Sequence, residues 1–138
     1  MIFIGEHIIE SLKSKDYPCP VTVQDFYKVQ KLQTPLITIQ ELPSNDGVYL
    51  DNQPAVTQNT FVIEVYAKSK TIKGKATSGS DLAKQIISVV DGAVNADFGL
   101  TMVGNITSQP YVDPAVTRLV ARYTAYIDTR TNLIYRRS

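Results

Sequence analysis

The sequence contains little of what metal, disulfide or nucleophile chemistry requires. Its 138 residues include one cysteine, Cys19, and one histidine, His7. A single cysteine cannot form an intrachain disulfide or a thiolate metal cluster within one chain. A metal pair built on two histidines is also excluded, and any Ser-His-Asp or Cys-His set would have to use His7. We therefore predict a protein that is not an enzyme, with no catalytic residue, no metal ligand and no cofactor.

Long apolar runs and a strong net charge are absent as well. No uninterrupted apolar run approaches the roughly 20 residues that cross a bilayer, and the N-terminus lacks the basic and apolar regions of a signal peptide. Because 14 basic residues face 13 acidic ones, the net charge is only +1. No global field therefore attracts nucleic acid or an anionic membrane. We expect a protein that stays in the cytoplasm in which it is made, without a membrane partner.

The composition is that of an ordinary folded domain. Hydrophobic residues make up 43% of the chain and charged residues 20%, and no internal repeat or low-complexity linker interrupts it. A domain of this length buries a single sizeable core. We predict one domain that covers residues 1–138.

Hydrophobic periodicity predicts the elements of this domain. Apolar residues recur at helical spacing over 3–15 and 80–94, where Ser78 and Asp81 resemble a capping box at the start of the second helix, and Gly92 and Asn95 suit its end. A further short helix within 21–31 is left open. Strands are predicted at 35–42, 59–68, 100–107 and 116–128. This order indicates an α+β fold in which about four strands form an antiparallel or mixed sheet and two or three helices pack on one face.

The segments between these elements contain turn-forming residues. Residues 43–58 and 68–79 are longer than the usual connection of about 4–6 residues, which predicts binding loops. The Gly74–Gly79 stretch has the glycine spacing of a phosphate-binding loop. However, Ser80 and Asp81 stand where that motif needs Lys and then Ser or Thr, so we interpret it as a loop with a helix cap.

The C-terminal strand is the most informative segment. Alternation along a strand places Leu119, Ala121, Tyr123, Ala125 and Ile127 on one face, which we predict to be core. The opposite face carries arginines and tyrosines, residue types that are enriched at protein interfaces. The basic residues and the tyrosine that we predict to contact partners are Arg118, Arg122, Arg130, Tyr135, Arg136 and Arg137.

Glu64 lies on the second face of the 59–68 strand. A cross-strand arginine, Arg118 or Arg122, is its expected partner, and a structural ion pair is favoured over acid/base catalysis.

The segment 121–137, together with the Phe61–Tyr66 strand and a following helix, resembles the small tail completion or head-to-tail joining proteins of long-tailed phages and prophages of Gram-positive bacteria. The similarity covers residues 33–137 and consists of segment order, size and the Tyr-Arg-Arg ending. It implies a virion structural protein, also called a tail terminator, that forms a hexameric ring. In that role the ring completes the tail tube and joins it to the head connector. Its implied partners are other copies of itself, the tail tube protein and the head completion protein, and its implied locations are the host cytoplasm during assembly and then the virion.

One alternative from another class is left open. A small nucleic-acid-binding or regulatory domain could use the same basic C-terminal strand, since arginines neutralise phosphates and tyrosines stack on bases. The near-neutral net charge argues against nucleic acid as the partner.

Overall fold

Two α-helices lie against one face of a mixed β-sheet in the computed structural model, which describes residues 4–50, 53–128 and 133–135. The helices are α1 (Ile4–Lys13) and α2 (Gly79–Phe98). A single 3₁₀ turn spans Phe26–Lys28. The strands are β1 (Thr22–Asp25), β2 (Leu36–Leu50), β3 (Gln53–Ala67), β4 (Lys70–Ile72), β5 (Lys75–Thr77), β6 (Thr101–Met102), β7 (Thr107–Gln109), β8 (Thr117–Asp128) and β9 (Leu133–Tyr135).

The sheet is centred on three long antiparallel strands. Its order is β1-β2-β3-β8, and the short strands β6, β7 and β9 all pair with β8. Only β1 runs parallel to its neighbour, which makes the sheet mixed. Strands β4 and β5 form a separate hairpin. The described part of the chain thus confirms the predicted α+β class, with more strands than the four predicted.

One face of this sheet holds the main core. Phe61, Ile63 and Val65 of β3 pack with the apolar stripes of both helices, including Ile8 and Leu82. Both α-helices therefore pack on the same face, as predicted. Burying these side chains contributes roughly 1.5–3 kcal/mol for each large residue.

Helix α2 is longer than its sequence pattern predicts. The Ser78 hydroxyl accepts a hydrogen bond from the Asp81 backbone N–H at 3.1 Å, which confirms the predicted cap. The prediction that Gly92 and Asn95 end the helix is wrong, because it continues to Phe98. Gly99 ends it instead in a left-handed conformation (φ 65°), and its N–H donates to the Asn95 carbonyl.

Residues 43–58 and 68–79 are predicted to be long loops, but both contain regular strands. The prediction of loops is therefore wrong. Strand β2 continues to Leu50 and β3 begins at Gln53, so most of 43–58 belongs to one long hairpin. The turn formers after Leu42 produce register shifts between Pro43 and Gly47 rather than a chain reversal. Residues 68–79 contain the β4–β5 hairpin, whose turn places Lys73 and Gly74 at positive φ.

Two other predicted segments are shorter than expected. The stretch 100–107 is divided into β6 and β7 because Gly104, at φ 69°, interrupts it, and both pieces pair with β8. The stretch 21–31 contains β1 and one 3₁₀ turn instead of a helix. Asp25 caps that turn by accepting the Tyr27 N–H at 2.9 Å.

Candidate assembly surface

The second face of the sheet, opposite the helices, is divided into a covered end and an open end. At the covered end Leu36, Tyr66 and Val116 form a small apolar cluster, against which Leu32 and Tyr111 pack. These last two residues come from the segments before β2 and β8. No helix of the described chain covers the other end.

Strand β8 separates the core from this second face. Leu119, Ala121, Tyr123, Ala125 and Ile127 are all buried, which confirms the predicted core face. The Tyr123 hydroxyl donates to the Asp91 carboxylate on α2 at 2.8 Å, and this contact fixes the helix against the sheet. Burial raises the pKa of Tyr123, and the hydrogen bond to Asp91 raises it further.

Arg118 is partly exposed and belongs to a polar cluster with Glu64 and Tyr66. Its Nη2 lies 2.5 Å from Glu64 Oε1, and the Glu64 side chain is only 7% exposed. The Tyr66 hydroxyl donates to the other Glu64 oxygen, and the Arg118 guanidinium lies 5.9 Å from the centre of the Tyr66 ring. The register explains the contact, because Tyr66 lies opposite Arg118 and Glu64 opposite Val120.

This cluster has consequences for protonation. The hydrogen bond to Glu64 raises the pKa of Arg118, although partial desolvation acts in the opposite direction. Burial raises the pKa of Tyr66, and the adjacent Glu64 carboxylate raises it further. The arginine therefore stays charged and the phenol neutral throughout the physiological range.

The open end of the second face forms a continuous surface, which we call the open patch. Tyr126 is 42% exposed, Leu42 is 40% exposed, and Arg122 is also exposed. Gln40 and Thr124 lie between them and are partly exposed. The register connects these positions across the sheet, because Gln40 and Arg122 both lie opposite Val62, and Leu42 and Thr124 both lie opposite Thr60.

The predicted contact residues thus have different placements. Arg122 is on the open patch, whereas Arg118 is paired with Glu64 and partly exposed, and both remain predicted contact residues. The backbone of Tyr135 lies in β9, opposite Tyr126. Arg130, Arg136 and Arg137 lie outside the described residues.

Three residues of this region were missed from the sequence. Tyr27 is 70% exposed beside the open patch, where its hydroxyl accepts a hydrogen bond from Gln40 Nε2 at 2.7 Å. Leu42 belongs to the patch because β2 continues past it. Alternation along 36–42 could have placed Gln40 and Leu42 on one face, but nothing in the sequence places Tyr27 beside them.

A pocket of about 330 Å³ lies at the covered end of the second face. Its walls include Leu32, Leu36 and Tyr111, and Thr38 also lines it. The Thr38 hydroxyl is buried and has no hydrogen-bond partner within the described chain. Gln30 and Lys31 line it as well, so polar and apolar groups share its walls.

The described residues contain no group of three or more His, Cys, Asp or Glu side chains that could hold a metal ion. His7 is exposed on α1, and Cys19 is partly exposed as a free thiol. Gly74 lies in the β4–β5 turn and Ser78 caps α2. The Gly74–Gly79 stretch, which has the glycine spacing of a phosphate-binding loop, is therefore part of a hairpin and of the start of a helix. Among the helices that are described, none has the length and apolar character needed to cross a membrane.

No protein-family model matches the chain, and a search of curated proteins finds no match either.

Proposed function

We propose that this chain is a non-enzymatic virion structural protein that completes a phage tail tube and joins it to the head connector as a ring. The observation that supports it best is the one-sided sheet. Its two helices seal one face, while the open patch presents an arginine, a tyrosine and a leucine on the other. Arginine and tyrosine are the two of these residue types that are enriched at protein contact surfaces.

The open patch is the surface that meets the tail tube protein in this proposal. Its centre is built on the long strands of the sheet, so its side chains are held in a fixed arrangement before any partner arrives. A preorganised surface loses less conformational entropy on binding. Arg122 supplies the charge and Tyr126 the buried area of the contact.

The test compares the wild-type protein with Arg122→Glu/Tyr126→Ser. Light scattering and electron microscopy of the purified wild type are expected to show rings, and a pull-down is expected to show binding to the tail tube protein of the same phage. The double variant is expected to lose at least about tenfold in that affinity, because a reversed charge and a lost aromatic anchor act together.

Lys84→Glu on the exposed side of α2 is the matched control, since it reverses one charge away from the patch. It is expected to bind as the wild type does. A monomeric wild-type protein would contradict the ring, and undiminished binding by the patch variant would contradict the role of the patch.

The alternative of a nucleic-acid-binding domain uses the same exposed Arg122 and Tyr126. The pairing of Arg118 with Glu64 counts against it, because that arginine's charge is already compensated within the protein. Affinity for single-stranded DNA that falls steeply with salt would favour the alternative over the structural role.

A further inference from the structure

The two lateral edges of the sheet differ in the strands that border them. At one edge, β1 has no strand on its outer side in the described part of the chain. At the other edge, β6, β7 and β9 lie end to end along β8. A strand with an unpaired edge is a template for another strand.

The backbone of β1 shows which groups are available at its outer side. The Thr22 N–H donates to the Pro35 carbonyl at 3.1 Å, so the backbone groups of Thr22 point towards β2. Because successive residues of a strand direct these groups to opposite sides, the N–H and C=O of Val23 point outwards. These are the two backbone groups that a further extended segment would pair with, although Val23 as a whole is only 4% exposed.

A groove of about 460 Å³ runs between α1 and this edge. Ile9 and Val23 are its apolar lining residues, and Glu6, Glu10 and Asp25 are its acids. Two lysines, Lys13 and Lys28, also line it, and Lys13 lies 3.9 Å from Glu10.

A further carboxylate adds negative charge behind the groove. Glu41 of β2 lies close enough to Glu6 and Asp25 for their charges to repel its own. Three acids therefore outnumber two lysines among the lining residues, and Glu41 lies close to two of those acids. A basic extended segment is the complementary occupant.

The chain carries such a segment at its other sheet edge. Strand β9 is followed directly in the sequence by Arg136 and Arg137, and residues 129–138 contain three arginines and no acid. Strand β9 has three residues and β1 has four, so the two are comparable in length.

We propose that the groove between α1 and the outer edge of β1 binds the basic C-terminal segment 133–137 of a second copy, so that the sheet continues from one subunit into the next. Such a contact is heterologous, since the two copies contribute different edges of their sheets. Repeated contacts of this kind form a ring when the rotation between neighbouring copies closes. Main-chain hydrogen bonds supply affinity and the opposite charges select the pairing. This inference rests on the proposed ring and names its interface.

The test uses two charge-reversed variants of the full chain. Glu6→Arg/Glu10→Arg makes the groove basic, and Arg136→Glu/Arg137→Glu makes the segment acidic. Each variant alone brings like charges together at every contact, so its self-association is expected to weaken at least about tenfold. A one-to-one mixture is expected to assemble again, because each basic groove then meets an acidic segment and each acidic groove a basic one.

Light scattering measures assembly, and circular dichroism checks that each variant folds. Asp16→Arg is the control for the groove variant, since Asp16 is exposed and does not line the groove. It is expected to assemble as the wild type does. Hydrogen exchange gives an independent measurement, in which the Val23 amide is expected to exchange more slowly in the assembly than in the monomeric groove variant.

The outcomes separate this inference from the proposed function. Assembly of either variant at the wild-type level overturns the inference while leaving the ring intact, and so does a mixture of folded variants that fails to recover. A wild-type protein that stays monomeric overturns the ring and the inference together.

Discussion

At the scale of single residues, Arg118 and Arg122 show how position on a sheet determines role. They lie four residues apart on the same face of β8. Arg118 lies beside the buried Glu64, and its charge is compensated there. Arg122 lies opposite Val62 and reaches solvent. The first arginine is therefore engaged within the fold, whereas the second is exposed on the sheet surface.

Replacing Arg118 by methionine tests the stabilising role. Arg118→Met leaves the Glu64 carboxylate buried without its counter-ion, which is expected to lower the free energy of unfolding by about 2–3 kcal/mol in urea titrations. The double variant Glu64→Gln/Arg118→Met is expected to recover a large part of this loss, because no buried charge remains. A single variant as stable as the wild type would show that the ion pair contributes nothing.

Glu41 is expected to make stability depend on pH. Burial raises its pKa, hydrogen bonds from Asn59 and the Gly5 N–H lower it in part, and the charges of Asp25 and Glu6 raise it again. Because the net pKa is raised, the folded state binds this proton more tightly than the unfolded state does. Ionisation of this carboxyl group therefore lowers the free energy of unfolding as the pH rises from below the pKa of the unfolded state through the pKa of the folded state.

The variant Glu41→Gln removes that cost at neutral pH and retains an oxygen that can accept the Gly5 N–H. Its Tm is expected to exceed that of the wild type at pH 7, with a gap that narrows as the pH falls towards about 4. Thermal unfolding followed by circular dichroism across this range measures the gap. A gap that widens towards low pH would contradict the raised pKa.

At the scale of elements, α2 is positioned by the close approach of its first turn to the end of β3. A Cβ atom added at Gly79 would lie 2.9 Å from the Ala67 carbonyl oxygen and 3.3 Å from the Lys68 backbone. Backbone atoms cannot move aside as a flexible side chain can. Gly92, in the same helix, has no atom within 4 Å of the corresponding position.

These two glycines provide a matched pair of substitutions. Gly79→Ala is expected to lower the free energy of unfolding by about 1–3 kcal/mol, because the added methyl group overpacks the junction. Gly92→Ala is expected to raise it by about 0.5–1 kcal/mol, because alanine favours the helix and meets no obstacle. Urea titrations of both variants measure the difference. Equal effects would contradict the close approach at Gly79.

At the scale of the whole molecule, the sheet separates three kinds of surface. The helices seal one face, the open patch occupies part of the other, and the two lateral edges remain for further strands. In the proposed ring, such a subunit contacts its neighbours through its edges and a different partner through its open face. The proposed ring and its proposed interface belong to this scale, and the assembly experiments above test them there.

The sequence by itself determined the core face of β8 and the stripes of both helices, because alternation and helical spacing are local properties that burial reinforces. It also indicated an arginine partner for Glu64, but it could not choose between Arg118 and Arg122. The tertiary structure decided that choice through the register of β3 and β8. It also decided that residues 43–50 continue β2, because pairing with β3 outweighs local turn propensity. Tyr27 lies beside Gln40 because β1, which precedes its turn, pairs with β2.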